Sequence, residues 1–344
     1  MTSYRKWASL LPGVILLALL SLISLGIGAM CVPPQEVIYA LLGTFSDTFA
    51  LSPSIESVVL NVRLPRILTA LVCGAGLAAS GAAFQALFAN PLATADTLGV
   101  SSGAAFGAVL GILLGLSAVG VQLLSLAVGL ASVFAVWRIS LVAGRSSVLM
   151  LILSGLVVAA LFSSLISLVK FTADPQDELP AVTFWLMGSL TGADWKSLAM
   201  ACPLIAAGSL FIWLLRWKLN ALSLSEAEAR SLGLPVARLR LMTVTAATAV
   251  TAASVSLCGL IGWVGLLIPH FVRLACGSDN RLVVPASFIY GALFLLVCDT
   301  VARSAAQMEI PVSVLTSLVG GADLFAAAAP PRQNLLGGGH EANR

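Results

Sequence analysis

The stretch Arg63-Leu-Pro-Arg66 opens a long charge-free run that begins at Ile67 and reaches the turn Asn90-Pro91-Leu92. The chain then restarts as the small-residue segment Leu98-Gly-Val-Ser-Ser-Gly103. A charge-free run of this length is typical of a helix that spans a lipid bilayer, which needs roughly 20 apolar residues. Because arginine is costly inside a bilayer, two arginines at the end of such a helix indicate a docking contact.

The composition extends this pattern over the whole chain. Of the 344 residues, 59% are hydrophobic and 10% are charged, and the mean hydropathy is +1.03. Soluble domains carry about 25% charged residues, so we predict an all-α polytopic membrane protein, a single domain over residues 1–344 embedded in the lipid bilayer. Six apolar runs fit one helix each, and two longer runs divide into two, which predicts about ten spans. The single runs are 10–30, 67–89, 148–169, 197–215, 282–298 and 310–329, and the divided runs are 97–136 and 241–271.

Ten spans that start inside place both termini in the cytoplasm, and the charges agree with this orientation. Of the 18 Lys and Arg residues, all but five then lie on the cytoplasmic side, as the positive-inside rule requires. Between the spans, external segments are predicted at about 32–61 and 172–194, and a cytoplasmic loop at about 218–238. The five external basic residues are Arg63, Arg66, Lys170, Lys196 and Arg303.

Arg63, Arg66 and Arg303 run against the charge trend, and we interpret them as a docking surface for an external partner. Rim charges of this kind chiefly affect association rates and their salt dependence. Asp299 lies four residues before Arg303, which also predicts an ordinary ion pair on one helix face.

The cytoplasmic loop contains one candidate helix. Ser225 followed by Glu228 is a capping box, and Gly233 is a C-terminal stop. A capped polar helix in a chain with few loops is typical of a contact with a cytoplasmic partner; a solvated helix face is the alternative. The segment comprises Glu226, Ala227, Glu228, Ala229, Arg230, Ser231, Leu232 and Gly233.

The turn Asn90-Pro91-Leu92 has two interpretations. The first interpretation is an ordinary turn between two spans, because proline lacks a backbone donor and restricts the conformation of the residue before it. The other is a constriction at the cytoplasmic end of a pathway.

Two helices also share a residue pattern, which indicates a possible inverted internal repeat. The first starts near Arg66 outside and the second near Arg240 inside, as in many transporters. The matched pairs are Arg66 with Arg240, Thr69 with Thr243, Ala75 with Ala249, Ala78 with Ala252, Ala79 with Ala253, and Ser80 with Ser254.

Several chemistries have no signal in the sequence. No G-x-x-x-x-G-K-[ST] loop is present to cradle nucleotide phosphates. The six cysteines are scattered without a C-x-x-C pair and fit small buried residues. We therefore expect no catalytic residues, no cofactor and no metal site in this chain, and no nucleic acid as partner. Proton coupling usually needs acids deep in the membrane, and the spans are nearly empty of them, which favours an energy-supplying partner over an ion gradient.

At this point the chain resembles the FecCD family, the permease subunits of bacterial type II ABC importers for iron-siderophores, haem and vitamin B12. Individual motifs are weak, but together and in family order they are specific, and they cover about residues 60–320. They are Arg63-Leu-Pro-Arg66, 76–81 with Gln85, Asn90-Pro91-Leu92, Leu98-Gly-Val-Ser-Ser-Gly103, Ala229-Arg-Ser-Leu-Gly233, 262–273, Asp299-Thr-Val-Ala-Arg303 and 309–316.

The resemblance implies a homodimer in the bacterial cytoplasmic (inner) membrane, with the transport pathway between the subunits. Two ATPase subunits that bind ATP-Mg would sit inside, and a periplasmic or external substrate-binding protein would dock outside. Arg63, Arg66 and Arg303 would then meet carboxylates of the binding protein, and 226–233 would be the coupling helix. Asn90, Pro91 and Leu92 would line one cytoplasmic gate, and Ser146 and Ser147 would lie near a second.

One departure concerns the last helix, which the family usually closes with Gly-Ala-Pro-x-Phe. Here the segment reads Gly320-Gly-Ala-Asp-Leu-Phe325 without the proline, and a flexible tail is expected at about 330–344.

The cargo implied by the resemblance is a ferric chelate, either a siderophore or haem. Cobalamin and oxyanions such as molybdate or tungstate stay open. An ion-coupled secondary transporter and a non-transporting membrane scaffold are the alternatives from other classes.

Overall fold

A computed structural model describes residues 10–28, 30–43, 52–142, 148–224, 226–305 and 308–328, and these ranges contain no strand. The predicted all-α membrane architecture is confirmed. In chain order the helices are α1 (Leu11–Gly26), α2 (Pro34–Gly43), α3 (Pro53–Ser57), α4 (Leu64–Leu87), α5 (Val100–Leu113), α6 (Ala118–Val142), α7 (Val148–Thr172), α8 (Glu178–Leu186), α9 (Trp195–Leu222), α10 (Glu226–Ser231), α11 (Val236–Cys258), α12 (Val264–Cys276), α13 (Asn280–Ala302) and α14 (Val312–Ala328).

Ten of the helices in these ranges correspond to the predicted spans. Six are long and apolar enough to cross a membrane, if α3 and α4 are counted as one helix joined by the π-helical turn Val58–Arg63. The shorter apolar helices α1, α5, α12 and α14 account for the other four. The two divided runs break between α5 and α6, at 114–117, and between α11 and α12, at 259–263.

Helix α4 lies at the centre of the bundle because glycines let its neighbours approach closely. A Cβ atom added to Gly74 would lie 2.4 Å from the Gly291 carbonyl oxygen of α13. A Cβ atom on Gly81 would lie 1.8 Å from the Gly265 carbonyl oxygen of α12. Backbones in van der Waals contact are the usual way for helices to associate in a membrane, so these glycines set the spacing of the bundle.

Helices α4 and α11 are antiparallel neighbours, as an inverted repeat requires. The Ser80 hydroxyl donates to the Ala247 carbonyl (2.8 Å) and shares a hydrogen bond with the Thr251 hydroxyl (2.8 Å). Each of the two helices is followed by an irregular segment and then by a short helix, α5 of 14 residues or α12 of 13 residues. This arrangement is the one that an inverted repeat produces.

The segments outside the spans also carry helices. The predicted external segments contain α2, α3 and α8. Helix α14 continues through the Gly320–Phe325 departure to Ala328, so the missing proline leaves the helix unbroken. Gly320 lies under the ring of Trp263, where a Cβ atom would be 2.4 Å from Cε3. The tail at 330–344 lies outside the described residues.

Candidate functional site

On the side of the bundle that the charge pattern predicts to be external, Arg66 is held between two acids. Its Nη2 lies 2.8 Å from Asp299 Oδ1, its Nε donates to the same oxygen at 2.9 Å, and its Nη1 donates to Glu309 Oε1 at 2.9 Å. The Asp299 side chain is fully buried, whereas that of Glu309 is 35% exposed. Charge-assisted pairs of this geometry are among the stronger polar contacts in proteins, and this one joins α4, α13 and the loop before α14.

Arg63 and Arg303 bind the end of α1. Arg63 donates to the carbonyls of Leu25 (2.6 Å) and Met30, and Arg303 donates to those of Ser24 and Ile27. The last carbonyls of a helix have no partner within the helix and carry its negative dipole end. The two guanidinium groups therefore cap α1 and tie it to α4 and α13.

The structure thus brings the three predicted arginines into one cluster on the predicted external side, with acids and helix carbonyls as partners. Their exposed fractions are low: 5% for Arg63 and 7% each for Arg66 and Arg303. Arg303 Nε lies 3.6 Å from Asp299 Oδ2 in the predicted i,i+4 relation, but Arg66 is closer to this acid. The docking role stays a prediction, and docking would require these side chains to exchange partners.

Glu309 is the most accessible member of the cluster. Burial acts to raise the pKa of Glu309, but hydrogen bonds from Arg66 and Thr191 outweigh it, so the pKa is held below its ordinary value. The Thr191 hydroxyl donates to its Oε2 at 2.6 Å. The carboxylate is therefore ionised at neutral pH and offsets part of the positive charge of the arginines.

Directly after α4, Asn90, Pro91 and Leu92 form an exposed turn. The Leu92 amide donates to Asn90 Oδ1 at 2.9 Å, which is an Asx turn. Ala89 before it has a left-handed backbone with φ of 47°. This geometry is compatible with both a plain turn and a gate, so the gate stays a prediction. The second predicted gate, Ser146 and Ser147, lies outside the described residues.

The predicted coupling helix is present as α10. Gly233 closes it in the left-handed region, with φ of 73°, and its amide donates to the Arg230 carbonyl at 2.9 Å. Ala229 is buried against the bundle, whereas Leu232 is 62% exposed. The capping residue Ser225 lies outside the described residues. An exposed leucine directly after a short polar helix fits a contact with a partner, and the coupling role stays a prediction.

A cavity of about 300 Å³ lies where the two irregular segments meet, between α4, α5, α11 and α12. Asp96 lines it from the short 3-10 helix before α5, together with Ser101 and Ser102, and Trp263 lines it from the segment before α12. Trp263 has φ of 71°, which is a strained conformation for a bulky residue. No basic side chain is among the described residues of this wall.

Sequence reasoning missed Asp96 and Trp263. One available signal was a single acid between the motifs Asn90-Pro91-Leu92 and Leu98-Gly-Val-Ser-Ser-Gly103, with Thr94, Ser101 and Ser102 nearby. No sequence signal indicated the left-handed backbone of Trp263. Among the described residues, no group of three or more His, Cys, Asp or Glu side chains is placed to hold a metal ion.

The chain matches the model of the FecCD transport family over residues 16–328. It is 40% identical over 312 residues to the molybdate import system permease protein MolB of Haemophilus influenzae, covering 90% of this chain and 92% of that protein. It is 38% identical over 273 residues to the cobalamin import system permease protein BtuC of Halobacterium salinarum, covering 79% and 73%.

A solved structure has the same fold. It is described as a metal-chelate type ABC transporter in an inward-facing conformation, and it superposes with a TM-score of 0.83 at 38% identity. The match covers 93% of this chain and 98% of that one.

The external cluster yields a stability prediction. Asp299→Ala leaves Arg66 and Arg303 without their shared buried carboxylate, and we expect a loss of about 3–5 kcal/mol, since removing one partner strands a buried charge. Glu309→Ala is the matched change at the exposed acid, and we expect a loss of no more than about 1 kcal/mol. Thermal unfolding of both variants in detergent measures the difference. Equal losses would contradict the assignment of Asp299 as the centre of the cluster.

Proposed function

Because the chain belongs to the FecCD transport family, we propose that it is the permease subunit of an ATP-driven, binding-protein-dependent importer for a ferric chelate. Family membership makes it a multi-pass ABC transporter permease. The energy would come from two ATPase subunits that bind ATP-Mg inside, and the cargo from a binding protein outside. The complex would contain two copies of this chain in the bacterial cytoplasmic membrane, with both termini inside.

The observation that favours a chelate is the wall of the 300 Å³ cavity. Asp96 and the nearby hydroxyls accept hydrogen bonds, and no cation in the described wall balances the carboxylate. A doubly charged oxyanion such as molybdate would be repelled here, whereas a chelate with hydroxyl or amide donors would be bound. Cobalamin also carries amide donors, so it is the second candidate.

The location of the cavity supports a role in the pathway. In a membrane, irregular backbone occurs only where it is buried or lines a cavity, and here the two irregular segments of the repeat line the same one. Gly99 beside it packs on α7 at Ala159, and Trp263 packs on α14 at Gly320. Helices α7 and α14 thus pack against segments that border the cavity. Each of these two helices also carries an exposed leucine, Leu161 on α7 and Leu318 on α14.

The uptake prediction concerns Asp96. In proteoliposomes with the ATPase and the binding protein, we expect ATP-dependent uptake of a ferric hydroxamate that falls about tenfold in Asp96→Asn, because hydrogen bonds to charged groups are the strong ones. Asp177→Asn, an exposed external acid, is the matched control with unchanged uptake. Uptake that follows an ion gradient without ATP would support an ion-coupled secondary transporter. A complete lack of uptake would support a non-transporting membrane scaffold. Unchanged chelate uptake in Asp96→Asn would remove the argument for a chelate.

The docking prediction uses Glu309, which offsets the charge of the arginine cluster. Glu309→Gln makes the cluster more positive, so we expect faster association of an acidic binding protein, most clearly at low ionic strength. The same neutralisation away from the cluster, Asp177→Asn, should change the rate less. Stopped-flow association across a salt series measures both. Equal rates in the two variants would remove the docking role of Arg63, Arg66 and Arg303.

The coupling prediction uses Leu232, the exposed leucine that directly follows α10 in the predicted segment 226–233. Leu232→Asp keeps the helix and places a charge where the ATPase would press, so we expect weaker assembly or ATP hydrolysis without uptake. Leu224→Asp is the control in the same loop but outside the predicted segment 226–233, and this leucine is also exposed. The ratio of cargo imported to ATP hydrolysed measures coupling. A wild-type ratio in Leu232→Asp, with normal assembly, would show that α10 does not couple the two activities.

A further inference from the structure

A second cavity, of about 600 Å³, opens on the outside of the bundle between α6, α7 and α11. Most of its wall is apolar, with Phe134 from α6 and Leu151 from α7 among the lining side chains, and Leu241 and Thr245 from α11. Phe134, Leu241 and Thr245 are exposed, so the cavity faces the surroundings of the bundle. It is separate from the cavity that contains Asp96, since no residue lines both.

One end of this cavity is basic. Arg238 and Arg240, in the first turns of α11, belong to its wall. Arg238 is exposed. Helix α11 begins at Val236, and Pro235 before it supplies no side-chain cap. Since the N-terminus of a helix is the positive end of its dipole, this end of α11 adds to the positive charge of the two arginines. The cavity thus combines an apolar body with a positively charged mouth.

Aromatic residues place this mouth at the level of the lipid headgroups. Trp137 lines the cavity near the end of α6. Two more tryptophans lie near the end of α9 that is predicted to be cytoplasmic. The guanidinium carbon of Arg216 lies 3.9 Å from the ring centroid of Trp213, and that of Arg281 lies 3.4 Å from the ring centroid of Trp217. Tryptophan and arginine are typical of the membrane–water interface. The apolar body of the cavity therefore extends into the hydrocarbon region from the cytoplasmic leaflet.

We propose that this cavity binds an anionic phospholipid of the cytoplasmic leaflet, with its phosphate at Arg238 and Arg240 and an acyl chain along Phe134 and Leu241. Basic pockets between transmembrane helices on the cytoplasmic side fit such headgroups. The volume lies within the range of about 300–1,000 Å³ that is typical of ligand pockets. A free anion would leave the apolar body unfilled, and a neutral lipid would bring no negative charge to the basic mouth.

The position of the site gives the lipid access to the energy-coupling region. Helix α10 ends at Ser231, and α11, with both arginines, begins at Val236. A phospholipid held at the start of α11 would fix the segment that carries α10.

The test measures lipid binding by the full-length chain, assembled with its ATPase partner and delipidated in detergent. Phosphatidylglycerol should raise the unfolding temperature more than phosphatidylcholine does. Arg238→Gln should weaken the apparent affinity for phosphatidylglycerol about fivefold, the effect of one arginine near a headgroup. Thr245→Trp, which fills the apolar body at an exposed position, should remove the preference for phosphatidylglycerol while leaving Arg238 in place.

Arg281→Gln is the matched control, because Arg281 lies on the cytoplasmic side over Trp217 and lines no part of the cavity. It should keep the wild-type affinity. Equal stabilisation of the wild type by the two lipids would overturn the proposal. An equal loss of affinity for phosphatidylglycerol in Arg238→Gln and Arg281→Gln would also overturn it, because it would mean diffuse attraction to a basic surface. Cross-linking between two copies through Thr245→Cys would assign the cavity to a second copy of the chain.

Discussion

The constraint on which the whole structure depends is that a backbone inside a bilayer must satisfy its own hydrogen bonds. No water is available in the hydrocarbon region, so the chain crosses it as helices. The two irregular connections, after α4 and after α11, contribute residues to the wall of one cavity. The left-handed backbone of Trp263 belongs to the second of these, and conformations of this kind persist only where the surroundings hold them.

Helix packing at the centre follows from the same constraint. Lipid tails are as apolar as leucine, so contact between helices has to come from close fit rather than from the hydrophobic effect. Gly74 and Gly81 on α4 supply this fit toward α13 and α12. Any side chain there would meet a backbone carbonyl rather than a flexible neighbour, which makes α4 the fixed element around which the other helices are arranged.

Arg63, Arg66 and Arg303 hold three helices together through one set of contacts. Arg63 and Arg303 satisfy carbonyls at the end of α1, while Arg66 joins Asp299 and Glu309. A partner that binds these groups would alter how α1, α4 and α13 are held together. Docking and transport could therefore be linked without a separate signalling element, because a ligand shifts a conformational equilibrium when it contacts two states differently.

The sequence alone determined the membrane class, the ten spans, the divided runs, the short polar helix α10 and the three unusual arginines. These features follow from local quantities, namely apolar length, charge and capping residues, which can be read without knowing the neighbours in space. The lengths of α5 and α12, and the continuation of α14 beyond Gly320, were not determined in this way.

Only the tertiary structure decided what the arginines touch, that Asp299 is shared between Arg66 and Arg303, and that Asp96 and Trp263 line one cavity. Arg66 is far from Asp299 in the chain, as Asp96 is from Trp263, and the packing of α4 against α11, α12 and α13 brings them together. The basic mouth of the lipid cavity likewise depends on α6 and α7 lying beside the start of α11. Contacts of this kind depend on helix packing in three dimensions, for which a single sequence carries no local signal.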